Sequence, residues 1–302
     1  MNNIILLIVC FCAGIVLRRT GRFPAATPAA LNGFVIHVSL PALVLLHIHR
    51  LRPDPSLIYP AAMAWCLFGI GYLFFRTLAR FARFPDATVG ALSLVGGLGN
   101  TSFVGLPMIE AYYGKEYLGI GIIADQAGSF LALSTVGIVV ASLYSSGGDV
   151  STRQMVRKIL MFPPFQALLL ALLLIPVPFP EWAVSVLQKL GDTLTPLALA
   201  SVGFQLRLSD MKGELKPLAA GLFYKLVLGT AILTILFVWL LGGSGRVMQV
   251  TLFESAMAPM ITAGIIAVDH DLNPALVTLM IGIGIPLSFL TLPVWSWLLR
   301  SV

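Results

Sequence analysis

The chain has 302 residues, of which 58% are hydrophobic and only 11% are charged. Soluble domains carry about a quarter charged residues, so this composition excludes a water-soluble fold and predicts an all-α polytopic membrane protein. The net charge of +6 does not indicate a nucleic-acid partner, because the basic residues stand in short groups between apolar runs, where they orient membrane helices.

Ten apolar segments, here called spans 1 to 10, predict ten transmembrane helices. They cover residues 3–19, 27–48, 57–79, 87–113, 117–144, 158–177, 182–206, 215–241, 247–268 and 274–299. No basic residue precedes span 1, and Arg18, Arg19 and Arg22 follow it. This order favours a first transmembrane helix over a cleaved signal peptide.

Basic residues indicate the orientation of these spans in the membrane. Groups of three follow spans 1, 3, 5 and 7, and the other side carries fewer. By the positive-inside rule these groups lie in the cytoplasm, so both termini are expected on the outer side. The groups are Arg18, Arg19 and Arg22; Arg76, Arg80 and Arg83; Arg153, Arg157 and Lys158; and Arg207, Lys212 and Lys216.

The most polar connection, "SSGGDVSTRQMVRK", separates two groups of five spans. It predicts a first repeat at 1–144, a cytoplasmic linker at 145–157 and a second repeat at 158–302. Because five is an odd number, the second repeat enters the membrane from the opposite side, as inverted-topology repeats require.

Prolines at matching places support this repeat. Pro41 in span 2 and Pro107 in span 4 stand nearly as far apart as Pro196 in span 7 and Pro259 in span 9. Proline lacks an N–H and clashes with the preceding turn. We therefore expect the second and fourth spans of each half to be broken.

The stretch "GGLGNTSFVGLPMIE" in span 4 is unusual for an apolar segment. Gly105 and Pro107 are expected to break the helix, and Asn100, Thr101 and Ser102 add polar groups at the same depth. Unpaired backbone groups are costly in hydrocarbon and persist only where protein or water satisfies them. Span 4 therefore predicts one half of a binding site.

Span 9 repeats the arrangement with Glu254, Ser255, Pro259 and Thr262. Two broken helices that meet near the membrane midplane present N-termini that attract an anion, and carbonyls and carboxylates that attract a cation. The alternative is that both breaks are ordinary kinks, which are frequent in membrane helices.

Ionisable residues within spans are functional candidates. Glu254 is expected to be a Na⁺ ligand or a proton carrier, with an acid that reaches outer water as the alternative. Asp125 and Gln126 are expected to line the same cavity, with Asp125 as the second candidate coupling acid, or to face the membrane interface. Lys225 either pairs with an intramembrane acid or snorkels to the cytoplasmic face, and snorkelling is favoured.

Span 7 adds candidates from the other side of the cavity. Thr195 and Pro196, together with Pro41 of span 2, are expected to face it, although capping of a broken helix explains the threonine equally well. No cofactor or catalytic motif occurs in the sequence, so an enzyme is not expected.

Two stretches resemble one transporter family. "NTSFVGLP" at 100–107 is similar to the signature on the fourth helix of the auxin efflux carrier family, which includes the plant PIN-FORMED carriers and bacterial permeases. "ESAMAPMITAGIIAVDHDLNPALV" at 254–277 is similar to that family's ninth helix. The short linker resembles a bacterial form, for which the inner membrane is expected.

The resemblance implies a fold like that of bile acid symporters, with helices 1, 2, 6 and 7 as a scaffold. Helices 3–5 and 8–10 would form a transport domain with helices 4 and 9 broken and crossed, moving by an elevator-like or rocking shift. Family substrates are organic anions, namely auxin in plants and malonate- or malate-like dicarboxylates in bacteria. Asn100 matches the asparagine that contacts the substrate carboxylate, whereas Glu254 departs from the uncharged residue of plant members. Family members often dimerise.

The sequence thus predicts an alternating-access transporter of a small organic anion, coupled to Na⁺ or H⁺ near Glu254. Its partners are the anion, the lipid bilayer and a second copy of the chain. Two alternatives stay open at this point. One is a Na⁺/H⁺-type antiporter on the same scaffold, and the other is a membrane receptor that binds without transporting.

Overall fold

The computed structural model describes residues 2–51, 54–145, 152–206 and 213–302, and every regular element within them is a helix. Residues 146–151 of the predicted linker, and Arg207 and Lys212 of the last basic group, lie outside these ranges. The helices are α1 Asn2–Arg19, α2 Thr27–His49, α3 Pro55–Ala82, α4 Asp86–Gly96, α5 101–112, α6 Lys115–Tyr144, α7 Thr152–Leu160, α8 Pro163–Leu173, α9 Glu181–Gly191, α10 Leu194–Gln205, α11 Leu215–Leu240, α12 Gly245–Ser255, α13 Ile261–Asp269 and α14 Pro274–Ser301.

Five of the described helices, α2, α3, α6, α11 and α14, are long and apolar enough to cross a membrane. They coincide with predicted spans 2, 3, 5, 8 and 10, and they agree with the prediction of an all-α membrane protein. Spans 4 and 9 are each divided into two helices, α4 and α5 in the first and α12 and α13 in the second. The layout of ten spans in two inverted repeats stays a prediction.

The break in span 4 lies elsewhere than predicted. It occupies residues 97–100, whereas Gly105 and Pro107 lie inside α5. The first turn of α5, Thr101–Gly105, is a wide π-type turn. Such a turn shifts the hydrogen-bond pattern just before the proline, so its missing N–H does not end the helix. In span 9 the break at residues 256–260 does contain Pro259.

Span 2 is not broken at Pro41, contrary to expectation. The helix α2 continues through this residue, and a wide turn at Val35–Ser39 directly precedes it. As at Pro107, the wide turn shifts the hydrogen-bond pattern before the proline, so its missing N–H does not end the helix. Span 7 is interrupted at residues 192–193, and Pro196 stands in the first turn of α10, where proline is tolerated.

The chain divides into two compact units, each built from three stretches. Unit 1 consists of Met1–Asp54, Ser102–Ile122 and Arg157–Leu206. Within it, α1 packs directly against α10. A Cβ on Gly14 would lie 2.1 Å from the carbonyl oxygen of Ala200, and a Cβ on Gly203 would lie 2.1 Å from that of Phe11. Glycine at these two places lets the helix backbones touch, as small residues do in membrane bundles.

Unit 2 consists of Pro55–Thr101, Ile123–Val156 and Arg207–Val302. Within it, α3 packs against α6 and α12. The hydroxyl of Tyr224 on α11 donates to the carbonyl oxygen of Leu67 on α3 at 2.6 Å, and its ring lies against Gly71. These contacts fix α11, so that the neighbouring Lys225 is fully buried within the protein.

Candidate functional site: a buried polar cluster at two helix breaks

The breaks of spans 4 and 9 pair with each other inside unit 2. Gly99 and Pro259 form an antiparallel bridge. The N–H of Asn100 donates to the carbonyl oxygen of Ala258 at 2.8 Å, and the N–H of Met260 donates to that of Leu98 at 3.2 Å. This pairing satisfies backbone groups that the helix breaks release, which is the condition for irregular backbone at membrane depth. We call it the crossing.

Three polar side chains form a hydrogen-bonded group beside the crossing. The Thr101 hydroxyl donates to Oδ1 of Asp125 at 2.6 Å, and Nε2 of Gln126 donates to Oδ2 at 2.6 Å. All three residues are buried, so Asp125 and Gln126 do not face the membrane interface. They lie in the wide turn Ala124–Phe130 of α6, a feature that often marks functional sites.

Glu254 lies in the last turn of α12 and is fully buried. Within the described part of the chain, neither carboxylate oxygen of Glu254 has a hydrogen-bond partner. Its charged neighbours are Asp125 and Lys225. A buried carboxylate without hydrogen bonds depends on nearby opposite charge or on an incoming ligand. In this structure the Glu254 carboxylate does not reach solvent.

Lys225 does not snorkel to the cytoplasmic face, which was the favoured prediction. It is 0% exposed, and its Nζ donates to the carbonyl oxygen of Ser255 at 2.7 Å instead of snorkelling. The Ser255 hydroxyl in turn donates to that of Thr230 at 3.0 Å. Its burial could have been predicted from its position in span 8. Lys225 stands ten or more residues from both ends of the span, which is roughly 15 Å along a helix. This distance exceeds the reach of a lysine side chain.

The remaining predicted residues of spans 4 and 9 are spread more widely. Asn100 is 2% exposed and is held in the crossing by its backbone. Ser102 is half-buried at the start of α5, in the stretch assigned to unit 1. Thr262, expected to bind substrate, is exposed on α13 and does not join the buried cluster.

The residues predicted for the scaffold side lie in unit 1. The hydroxyl of Thr195 donates to Oε2 of Glu110 at 3.0 Å, and Pro41 and Pro196 are half-buried. A cavity of about 450 Å³ in this unit is lined by other residues. These are Arg50, Phe179, Glu181, Val184, Ser185, Gln188 and Lys189.

No group of three or more His, Cys, Asp or Glu side chains able to hold a metal ion occurs among the residues that the structure describes. A Na⁺ site near Glu254 stays a prediction.

Comparison with known proteins adds one family and two relatives. The sequence model of the family described as membrane transport protein matches residues 1–296. An uncharacterized transporter of Methanocaldococcus jannaschii is 24% identical over 311 residues, which cover 100% of this chain and 99% of the relative. An uncharacterized transporter of Methanothermobacter thermautotrophicus is 26% identical over 309 residues, which cover 98% of this chain and 97% of the relative. Both relatives are described as transporters.

Proposed function

Because the chain belongs to the membrane transport protein family, the auxin efflux carrier family that its span 4 resembles, we propose that it is a secondary active transporter of a small organic anion. The substrate is a mono- or dicarboxylate that is auxin-like or malonate- or malate-like. Family membership makes the protein a membrane transporter, and the substrate class and mechanism are the proposal.

One observation carries the proposal: Asp125, Lys225 and Glu254 are all buried beside the crossing. Charges are expensive to bury and rare inside membrane segments, where they mark substrate and ion pathways. Asn100 and Thr101 lie at the same crossing and would bind the carboxylate, helped by the N–H groups of the helices that begin there. Glu254, with Asp125, would couple transport to Na⁺ or H⁺.

The mechanism we propose is alternating access in the membrane, with ten spans in inverted repeats. Unit 2 contains spans 3, 8 and 10 and both crossing segments, which supports its role as the moving transport domain. Unit 1 contains spans 1, 2, 6 and 7, which supports its role as the scaffold, and it also contains residues 102–122 of spans 4 and 5, which the predicted layout assigns to the transport domain. The protein would lie in the inner membrane with both termini on the outer side, and would form a homodimer.

The test measures the melting temperature of the purified protein with a panel of mono- and dicarboxylates, with and without Na⁺ and at two pH values. A ligand that binds only the folded protein raises this temperature. The carboxylate that does so is then followed by uptake into liposomes. Absence of stabilisation by every carboxylate, together with absence of uptake, would refute the proposed substrate class.

Asn100→Ala tests the site itself. Loss of a hydrogen bond to a charged ligand should weaken carboxylate binding about tenfold or more. The matched control is Asn32→Ala in unit 1, where the side-chain oxygen accepts from the hydroxyl of Ser201 at 2.6 Å. This control should leave binding unchanged. Equal binding by both variants would remove Asn100 from the site.

A second function is favoured by the two buried acids Asp125 and Glu254. Two carboxylates and one lysine at a crossing also suit a Na⁺/H⁺-type antiporter, in which ions exchange without an organic anion. This alternative predicts proton flux driven by a Na⁺ gradient in liposomes that contain no carboxylate substrate.

A further inference from the structure

We propose that Lys225 is a tethered cation that takes the place of a free Na⁺ beside Glu254, so that the protein binds its substrate without Na⁺. The inference deepens the proposed function and rests on it, because it presumes that the crossing is the transport site. It identifies Lys225 as the residue that determines ion specificity there.

The first argument is the oxygen atom that Lys225 contacts. Its Nζ lies 2.7 Å from the carbonyl oxygen of Ser255, the last residue of α12. Carbonyls in the last turn of a helix have no partner within the helix, and they carry its negative end. In transporters with broken helices, such carbonyls coordinate Na⁺. The ammonium group therefore occupies a position suited to a bound cation.

The second argument is charge. Glu254 is 0% exposed, and neither of its oxygens has a hydrogen-bond partner in the described part of the chain. Two charged groups act on it electrostatically, Lys225 of α11 and Asp125 of α6. Asp125 is acidic, and both of its oxygens accept hydrogen bonds from other side chains. An ammonium carries the same single charge as Na⁺, so Lys225 alone of these neighbours offsets the buried carboxylate.

The third argument is the space that the crossing leaves for the lysine. A Cβ on Gly99 would lie 3.3 Å from Nζ of Lys225 and 3.5 Å from the carbonyl oxygen of Glu254. The ammonium thus lies against the backbone of the crossing itself. A side chain at position 99 would press against the Lys225 ammonium group, and glycine avoids this contact.

The experiment compares melting temperatures in NaCl and in choline chloride at equal ionic strength, without carboxylate. The wild type should melt at the same temperature in both salts. Lys225→Met removes the charge and keeps the length of the side chain. It should melt at a lower temperature in choline and recover by roughly 3 °C or more in Na⁺, because Na⁺ now binds at the vacated place.

Two further variants isolate the cause. Lys189→Met removes an exposed lysine of unit 1 and should behave like the wild type in both salts. Adding Glu254→Gln to Lys225→Met should abolish the Na⁺ effect, since the carboxylate that attracts the ion is gone. Persistence of the Na⁺ effect in this double variant would overturn the proposal.

Two other results would also overturn it. One is specific stabilisation of the wild type by Na⁺, and the other is a folded Lys225→Met protein that ignores Na⁺. If Lys225→Met does not fold, Lys225→Gln replaces it in the same comparison of the two salts. Stabilisation of the wild type by carboxylates is measured separately, so failure of the proposed substrate class is distinguishable from failure of the lysine's role.

Discussion

Thr101 shows how a single hydroxyl supports a buried charge. Its hydroxyl donates to Oδ1 of Asp125 at 2.6 Å, in an interior where water does not replace it. Thr101→Val keeps the shape of the side chain but leaves that carboxylate oxygen without this donor. We expect a loss of about 1–3 kcal/mol in the free energy of unfolding, measured by denaturation of the purified protein.

Thr251→Val is the matched control for this prediction. Thr251 is equally buried, but its hydroxyl donates only to the carbonyl oxygen of Val247, four residues earlier in the same helix. Such back-bonding adds little to stability, so the control should lose less than Thr101→Val. Equal losses of unfolding free energy would mean that the hydrogen bond to Asp125 contributes no more to stability than the bond within the helix.

Whether the position of a side chain could be predicted from the sequence depended on which contacts hold it in place. Burial of Asn100 and Glu254 could be anticipated, because both stand inside long apolar spans. The hydrogen-bond partner of Lys225 could not be anticipated. The carbonyl of Ser255 lacks a partner within its helix only because α12 ends there. The exposed position of Thr262 could not be anticipated for a related reason. Its helix starts after a break, and the geometry of that break determines which face of the helix turns outward.

The helices α1 and α10 provide the clearest test at the scale of elements. A Cβ on Gly14 would collide with the backbone of Ala200, which no rotamer change relieves. Gly14→Ala must therefore push the helices apart. We expect a destabilisation of about 1–3 kcal/mol, read from the melting temperature.

Gly69→Ala is the control, since Gly69 lies in α3 with nothing within 4 Å of its Cβ position. Alanine is the better helix former, so this change should be neutral or stabilising by up to about 1 kcal/mol. A similar loss in both variants would show that the close approach of α1 and α10 is not what Gly14 provides.

Helix existence was easier to predict from the sequence than helix continuity. Long apolar runs defined α2, α3, α6, α11 and α14, because hydrophobic length alone specifies a membrane-spanning helix. Proline was a poor guide to breaks, since wide turns before Pro41 and Pro107 absorb its missing donor. Such a turn depends on packing with neighbouring helices, which a single sequence does not display.

At the scale of the whole molecule, the basic groups predict that both ends of the chain lie on the outer side of the membrane. Alkaline phosphatase fused after Val302 should be active in bacterial cells, and green fluorescent protein fused there should be dark. The same reporters inserted in the linker at 145–157 should give the reverse. Fluorescence from the C-terminal fusion would contradict this orientation.

The division of each compact unit into three stretches has a consequence for biosynthesis. Unit 1 is incomplete until Leu206 has been made, and unit 2 until the chain ends. No truncation yields either unit without stretches of the other, and exchanging one unit between relatives requires splices at five junctions. During synthesis, α1 is made and inserted well before α10, the helix against which it packs. Until then lipid or the insertion machinery covers the face of α1 that carries Gly14, and a mutation such as Gly14→Ala takes effect only when α10 packs there.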